Sequence, residues 1–189
     1  SLAQIAAINS AQLSAMETDD LRQLSASQIK AITTAAITGL TSSQVVSLLT
    51  QQLNALTAPQ VSALGSQQVM GLGSDQIASL GAVQVSALTS KQLVGLEAED
   101  MAALGLKLAK NLNSAQLSAL NAIQTAALTT QQISLLSADQ LNALTTSGLS
   151  GLSSTNIQKL SASQLNGLKS SQLALLSTAQ VASLSTTQV

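Results

Sequence analysis

Residues 57–80 read TAPQVSAL GSQQVMGL GSDQIASL when divided every eight residues. Helices bury a seam with a period near 3.6 and strands alternate with a period of two, so a period of eight raises the question of what is being built. Started at Ser1, the same register runs through the 189-residue chain as 23 complete octads and five further residues, without insertion or deletion. Repetition of this kind is read before any other feature, because it sets the unit of folding.

Position 8 of the octad is Leu in 20 of 23 copies, the others being Ile8, Met16 and Ile32. Position 5 is Ile, Leu, Val or Met in 22 of 24, with Ala109 and Thr125 as exceptions. These two rows are the expected core. Position 4 is Gln in 18 of 24 copies, and position 1 is Ser, Thr, Asn or Gly in 20 of 24. Position 2 is small in all but Leu2 and Leu106, and position 7 is Ala, Gly or Ser in 18 of 23, as expected where successive turns press together. Positions 3 and 6 accept almost anything, including Lys30, Asp75, Lys91, Glu99 and Asp139, and are placed in solvent. No period of 16 or 24 residues stands out above the octad.

In helix chemistry the pattern is specific. A hydroxyl residue followed three later by Gln is a capping box: the hydroxyl accepts from the N3 amide, and the Gln side chain reaches back to the N-cap amide. The Leu before the hydroxyl and the apolar residue at position 5 are placed to form a hydrophobic staple. One helix start is thus written into every octad. A single long helix fails on geometry, because eight residues turn an ideal helix by about 800° and the apolar seam would drift by about 80° per octad.

Pro59, at position 3, falls in the first turn of the proposed short helix, where its missing N–H is harmless; inside a continuous helix it would cost about 3 kcal/mol. Nine of the ten glycines lie at positions 7 or 1, flanking the proposed break, and are expected to relieve the backbone as the chain turns; Gly148 is the exception. One octad cannot bury enough to fold alone, so the expected architecture over residues 1–189 is one all-α solenoid of short capped helices, one per octad, with several octads per coil. A β-solenoid with stacked Gln is the alternative, opposed by the Ala, Leu and Gln content and by scarce two-residue alternation.

The composition narrows the function classes. Seven basic and eight acidic side chains nearly cancel, and there is no aromatic residue, His or Cys. Nucleic-acid binding, which wants a basic patch and stacking platforms, is therefore not expected. No apolar run reaches the roughly 18 to 20 residues of a membrane span, so no membrane insertion is expected. Without His, Cys or Tyr, catalysis would fall to carboxylates, for which Asp19, Asp20, Glu97, Glu99 and Asp100 are the candidates. All five are read as exposed, with no pocket implied, so the chain is expected to be no enzyme and to hold no catalytic residue, cofactor or metal.

Two octads depart from the pattern. GLKLAKNL, residues 105–112, lacks both hydroxyl and Gln and carries Leu106 and Leu108 where a small residue and Gln belong; it reads as a degenerate copy, with a hinge, bend or partner-docking point as the alternative. ETDDLRQL, residues 17–24, offers an acidic cap and an acidic N3 residue, reading as a solvated face with calcium as the alternative. The start in phase at Ser1 and the stop five residues into an octad at Val189 read as cuts through a longer array.

The strings SADQLNAL (137–144), SASQLNGL (161–168) and STAQVASL (177–184) resemble the TxxQVxAL-type octapeptide arrays of very large bacterial proteins, described as adhesin-like or grouped with secreted repeats-in-toxin proteins. The resemblance implies an extracellular or cell-surface location and a structural or adhesive role, and it carries no catalytic residue. The expected function is a rod, spacer or scaffold. Its expected partners are neighbouring repeats of a parent protein, with end-to-end self-association open. A repetitive binding surface for glycan, ice or a protein partner is the alternative.

Overall fold

The computed structural model describes residues 1–188. Among them, 23 short α-helices follow one another from Leu2–Ala6 to Thr178–Ala182, one in each complete octad, and no strand occurs. The fold is an all-α solenoid of short helices; the β alternative is set aside because each complete octad forms a helix and none of the described residues is in a strand.

The helix Ala26–Ala31 shows how. Ser25 is extended at the N-cap, with φ −66° and ψ 160°. Its N–H donates to Gln28 Oε1 at 2.8 Å, and the Gln28 N–H donates to Ser25 Oγ at 3.3 Å. The same reciprocal pair recurs at Thr41 with Gln44, Thr129 with Gln132, and Ser161 with Gln164. Pro59 is the second residue of Ala58–Ala63. At the other end the Leu56 N–H bonds back to the Leu53 carbonyl at 3.2 Å, and Leu56 then swings to ψ 132°, which turns the corner. Replacing a cap hydroxyl, as in Ser137→Ala, removes the acceptor of the Gln140 N–H at 3.1 Å and is expected to cost about 1 kcal/mol by chemical denaturation.

The glycines do not serve the corners as the sequence suggests. Gly65 and Gly73 sit at φ −69° and −75°, which any residue adopts, and Gly105 at φ 57° is the one left-handed residue described. What glycine supplies at position 7 is clearance. A Cβ built on Gly39 would fall on the Ser10 carbonyl, and one on Gly167 would lie 2.6 Å from Ala138 Cβ. Both partners occupy position 2 of the octad three copies earlier, so the small rows do meet where neighbouring coils touch.

The chain divides into two compact units, Ser1–Gly95 and Leu96–Val189. In each, a helix packs on the third one along. In the first unit Ser42–Ser47 packs on Ser66–Met70, and that helix on Ser90–Val94; in the second Leu106–Asn111 packs on Thr130–Leu135. Positions 5 and 8 fill the interior, with Leu13, Val45, Leu93, Leu117 and Ile133 wholly buried. Positions 3 and 6 are exposed throughout, except for the partly covered Lys107 and Asn142. Among the described residues no helix is long and apolar enough to cross a membrane.

Candidate functional site

Helices this short leave most of their backbone carbonyls without an intrahelical donor, and a buried carbonyl left unpaired is costly. The Gln row resolves this and forms the most regular polar feature of the molecule. Gln44 Nε2 donates to the carbonyls of Leu13 at 2.9 Å, Ser14 at 3.2 Å and Met16 at 2.7 Å, on the preceding coil. Gln52 does the same to Leu21 at 2.9 Å and Leu24 at 2.8 Å, Gln60 to Ile29 at 2.9 Å and Ile32 at 2.6 Å, and Gln92 to Val61 at 2.8 Å and Leu64 at 2.7 Å. In the second unit Gln140 reaches Ala109 and Leu112, each at 2.9 Å.

Each of these side chains is saturated. Its oxygen accepts the N-cap N–H of its own helix, and its two amide hydrogens satisfy carbonyls 31 and 28 residues back. Within each unit helices stack on the third one along, so a coil holds three octads, and the tie reaches one corner further, to the end of the helix before the stacked one. Sequence reasoning recovered the cap half of this role and missed the tie, leaving position 4 outside the core. In fact Gln44, Gln52, Gln60, Gln92 and Gln132 are almost fully buried. No other side chain suits both tasks: Glu cannot donate, and the shorter Asn156 keeps a single tie, to Leu128 at 3.2 Å.

The exceptions to the pattern compensate one another. Thr125, the polar intruder at position 5, is wholly buried and donates to the carbonyl of Gly148, the misplaced glycine, at 2.6 Å. Thr125→Val keeps the shape, removes the bond between the coils and leaves the Gly148 carbonyl only the Gly151 N–H at 3.2 Å; a loss of about 1 kcal/mol is expected in urea titration of the second unit. In 105–112 the bulk moves by one position, with Leu108 and Ala109 both buried, and the octad keeps its helix. Gln132 still ties to Met101 at 2.9 Å but slips one residue, to Gly105 at 3.0 Å.

The candidate carboxylates do not assemble. Asp19 and Asp20 lie exposed in the first turn of Thr18–Gln23, and Glu17 occupies the N-cap without making the side-chain cap bond expected of it, its longer stem being poorly suited to the N3 amide. Glu97 and Glu99 are exposed as expected. Asp100 is not: it takes the Gln position, is 5% exposed, and accepts the Glu97 N–H at 3.1 Å. Its burial is not legible in its own octad, which shows only a polar residue at position 4. No group of three or more His, Cys, Asp or Glu able to hold a metal occurs among the described residues.

Two surface features remain. A groove of about 420 Å³ in the first unit is lined by Lys30, Asn54, Leu56, Thr57, Gly81 and Gln84 among others, and Lys30 is its one charged side chain. Asn54 clamps two coils there, donating to the Ser79 carbonyl at 2.8 Å and accepting the Gly81 N–H at 2.8 Å. Elsewhere Val46, Met70 and Val94, the three large apolar residues of position 6, line up 24 residues apart on stacked helices and are 43, 42 and 52% exposed. Ser14, Thr38, Ser62 and Ser86 form a second column with the same spacing. A 24-residue order therefore does exist, and it becomes visible once helices are known to stack in threes.

This geometry defines a class: helical octad arrays whose coils are joined by a glutamine ladder. The model of the ALTTAQ repeat family matches residues 13–50 and 47–82, which supports the reading as a repeat array. Its name spells positions 7, 8 and 1 to 4 of the octad, as in ALTAPQ at 55–60. A comparison with curated proteins finds no match.

Proposed function

We propose that the chain is a non-catalytic structural segment, a rod, spacer or scaffold, of a larger secreted or cell-surface bacterial protein. The observation that carries this is the equivalence of the octads: Gln44, Gln60 and Gln92 make the same cap and the same ties in successive places. A unit made of interchangeable layers sets a distance, and inserting three octads adds a layer of helices, about 9 Å thick. Small-angle scattering on variants lengthened by 24 residues tests it. A maximum dimension that grows by one layer per insertion supports the spacer, and one that stays constant removes it.

A second reading, a repetitive binding surface for glycan, ice or a protein partner, is favoured by the column Val46, Met70 and Val94 on the first unit. Ligand screening on the folded chain separates the two, because a pure spacer binds none of the three.

A further inference from the structure

We propose that the groove of the first unit binds an acidic sugar, a hexuronic acid unit of a glycan, which donates a hydroxyl to Gln84 and sets its carboxylate against Lys30. The proposal rests on the glycan reading above and names one site and one class of ligand within it.

At Gln84 the ladder keeps its tie and loses its cap. Gln84 Nε2 donates to the carbonyls of Asn54 at 3.0 Å and Leu56 at 2.7 Å. The Gly81 N–H, which a capping box would give to Gln84 Oε1, goes instead to Asn54 Oδ1 at 2.8 Å, and the helix Ala82–Ala87 starts without a side-chain cap bond. Lack of a hydroxyl is not the cause, because the N–H groups of Gly65 and Gly73 still go to Gln68 and Gln76. The clamp takes the donor, and Gln84 Oε1 accepts no hydrogen bond among the described residues. Gln84 is 5% exposed, yet no fully buried side-chain oxygen among the described residues lacks a partner. This oxygen therefore opens onto the groove that Gln84 lines.

Glycine makes the opening. A Cβ on Gly81 would lie 2.8 Å from Gln84 Oε1 and 3.3 Å from Asn54 Oδ1, so a side chain there covers the acceptor. The groove then sets three demands on an occupant. Gln84 Oε1 needs a donor. Lys30, exposed on the helix that stacks on Thr50–Ala55, needs an anion. Val83, 55% exposed, offers with Ala58 and Ala82 an aliphatic surface. A sugar acid meets all three with a hydroxyl, a carboxylate and the C–H face of its ring. A cationic donor does not: an ammonium would add a second positive charge to a groove lined by no carboxylate, and would leave N–H groups unpaired against one acceptor. The volume of about 420 Å³ lies toward the small end of ligand pockets, which suits a sugar unit and excludes a folded partner.

Titration of the isotope-labelled 189-residue chain with sodium glucuronate and sodium galacturonate, followed by NMR, is the test. The expected result is a saturable shift of the Gly81 and Val83 amides and of the Gln84 side-chain amide with at least one of the two acids. Lys30→Gln, an exposed change, weakens binding by about fivefold, the upper range of an exposed charge pair, and glucose, which lacks the carboxylate, binds the parent more weakly by about the same factor. Gly81→Ser covers the acceptor and removes binding, whereas Gly73→Ser, at the same octad position but outside the groove, keeps it. Ser holds that position at Ser25 and Ser137, so both variants are expected to match the parent in helical content by circular dichroism. No shift with either acid overturns the proposal, as does binding that survives Gly81→Ser, or glucose that binds as tightly as the acids. A neutral glycan that binds elsewhere and ignores Gly81→Ser overturns this site and leaves the repetitive-surface reading standing.

Discussion

Gln60→Leu should destabilise the first unit by about 4 kcal/mol, whereas Gln12→Leu should cost less than about 1 kcal/mol. The two side chains make the same local bond: the Thr57 N–H donates to Gln60 Oε1 at 2.8 Å, and the Asn9 N–H donates to Gln12 Oε1 at 3.0 Å. They differ in what lies beneath. Gln60 is 1% exposed and donates to the carbonyls of Ile29 and Ile32, while Gln12 faces solvent and donates to none. Leu fills nearly the same space, so the loss comes from polar groups left dry rather than from a cavity. The Ile29 carbonyl retains the Ile32 N–H at 3.2 Å, which leaves the Ile32 carbonyl and the Thr57 N–H as the main casualties. Urea unfolding followed at 222 nm measures both variants; equal losses would mean that position 4 acts as a cap alone.

Gly151→Val is the second large effect, expected at about 3 kcal/mol in the second unit. A Cβ there would fall on the Ala122 carbonyl and the Thr125 hydroxyl of the adjoining coil, and the carbonyl, being backbone, cannot rotate away as a side chain would. Gly73→Ser is the counterpart. Its φ of −75° suits any residue, nothing lies within 4 Å of the added Cβ, and the new hydroxyl sits at an N-cap, so a gain of about 0.5 kcal/mol is expected. If both glycines served only to loosen the corner, the two substitutions would shift the denaturation midpoint in the same direction.

The contrast between these sites shows how far the sequence could be read. Caps, helix starts and the rows at positions 5 and 8 are relations among residues three to eight apart, inside one octad, and they were legible at Ser25, Gln28, Ile29 and Ile32. The glutamine ties and the pairing of Thr125 with Gly148 join residues on different coils, and they follow from how successive corners add up. No single octad contains that sum. The 24-residue columns through Val46 and Ser62 were present in the sequence but had no meaning until the stacking number was known. The polar ties are spread along the glutamines of position 4 rather than gathered in one cluster.

The direction of that row bears on how the molecule is made. Among the described residues these glutamine ties run to carbonyls already passed, 28 to 31 residues behind. A chain leaving the ribosome thus presents each new octad to acceptors that have already been synthesised, and no segment waits for a distant partner. Such short sequence separation favours rapid folding and lets order spread from the first coil as synthesis proceeds. The ladder that joins the finished coils also sets the order in which they are laid down.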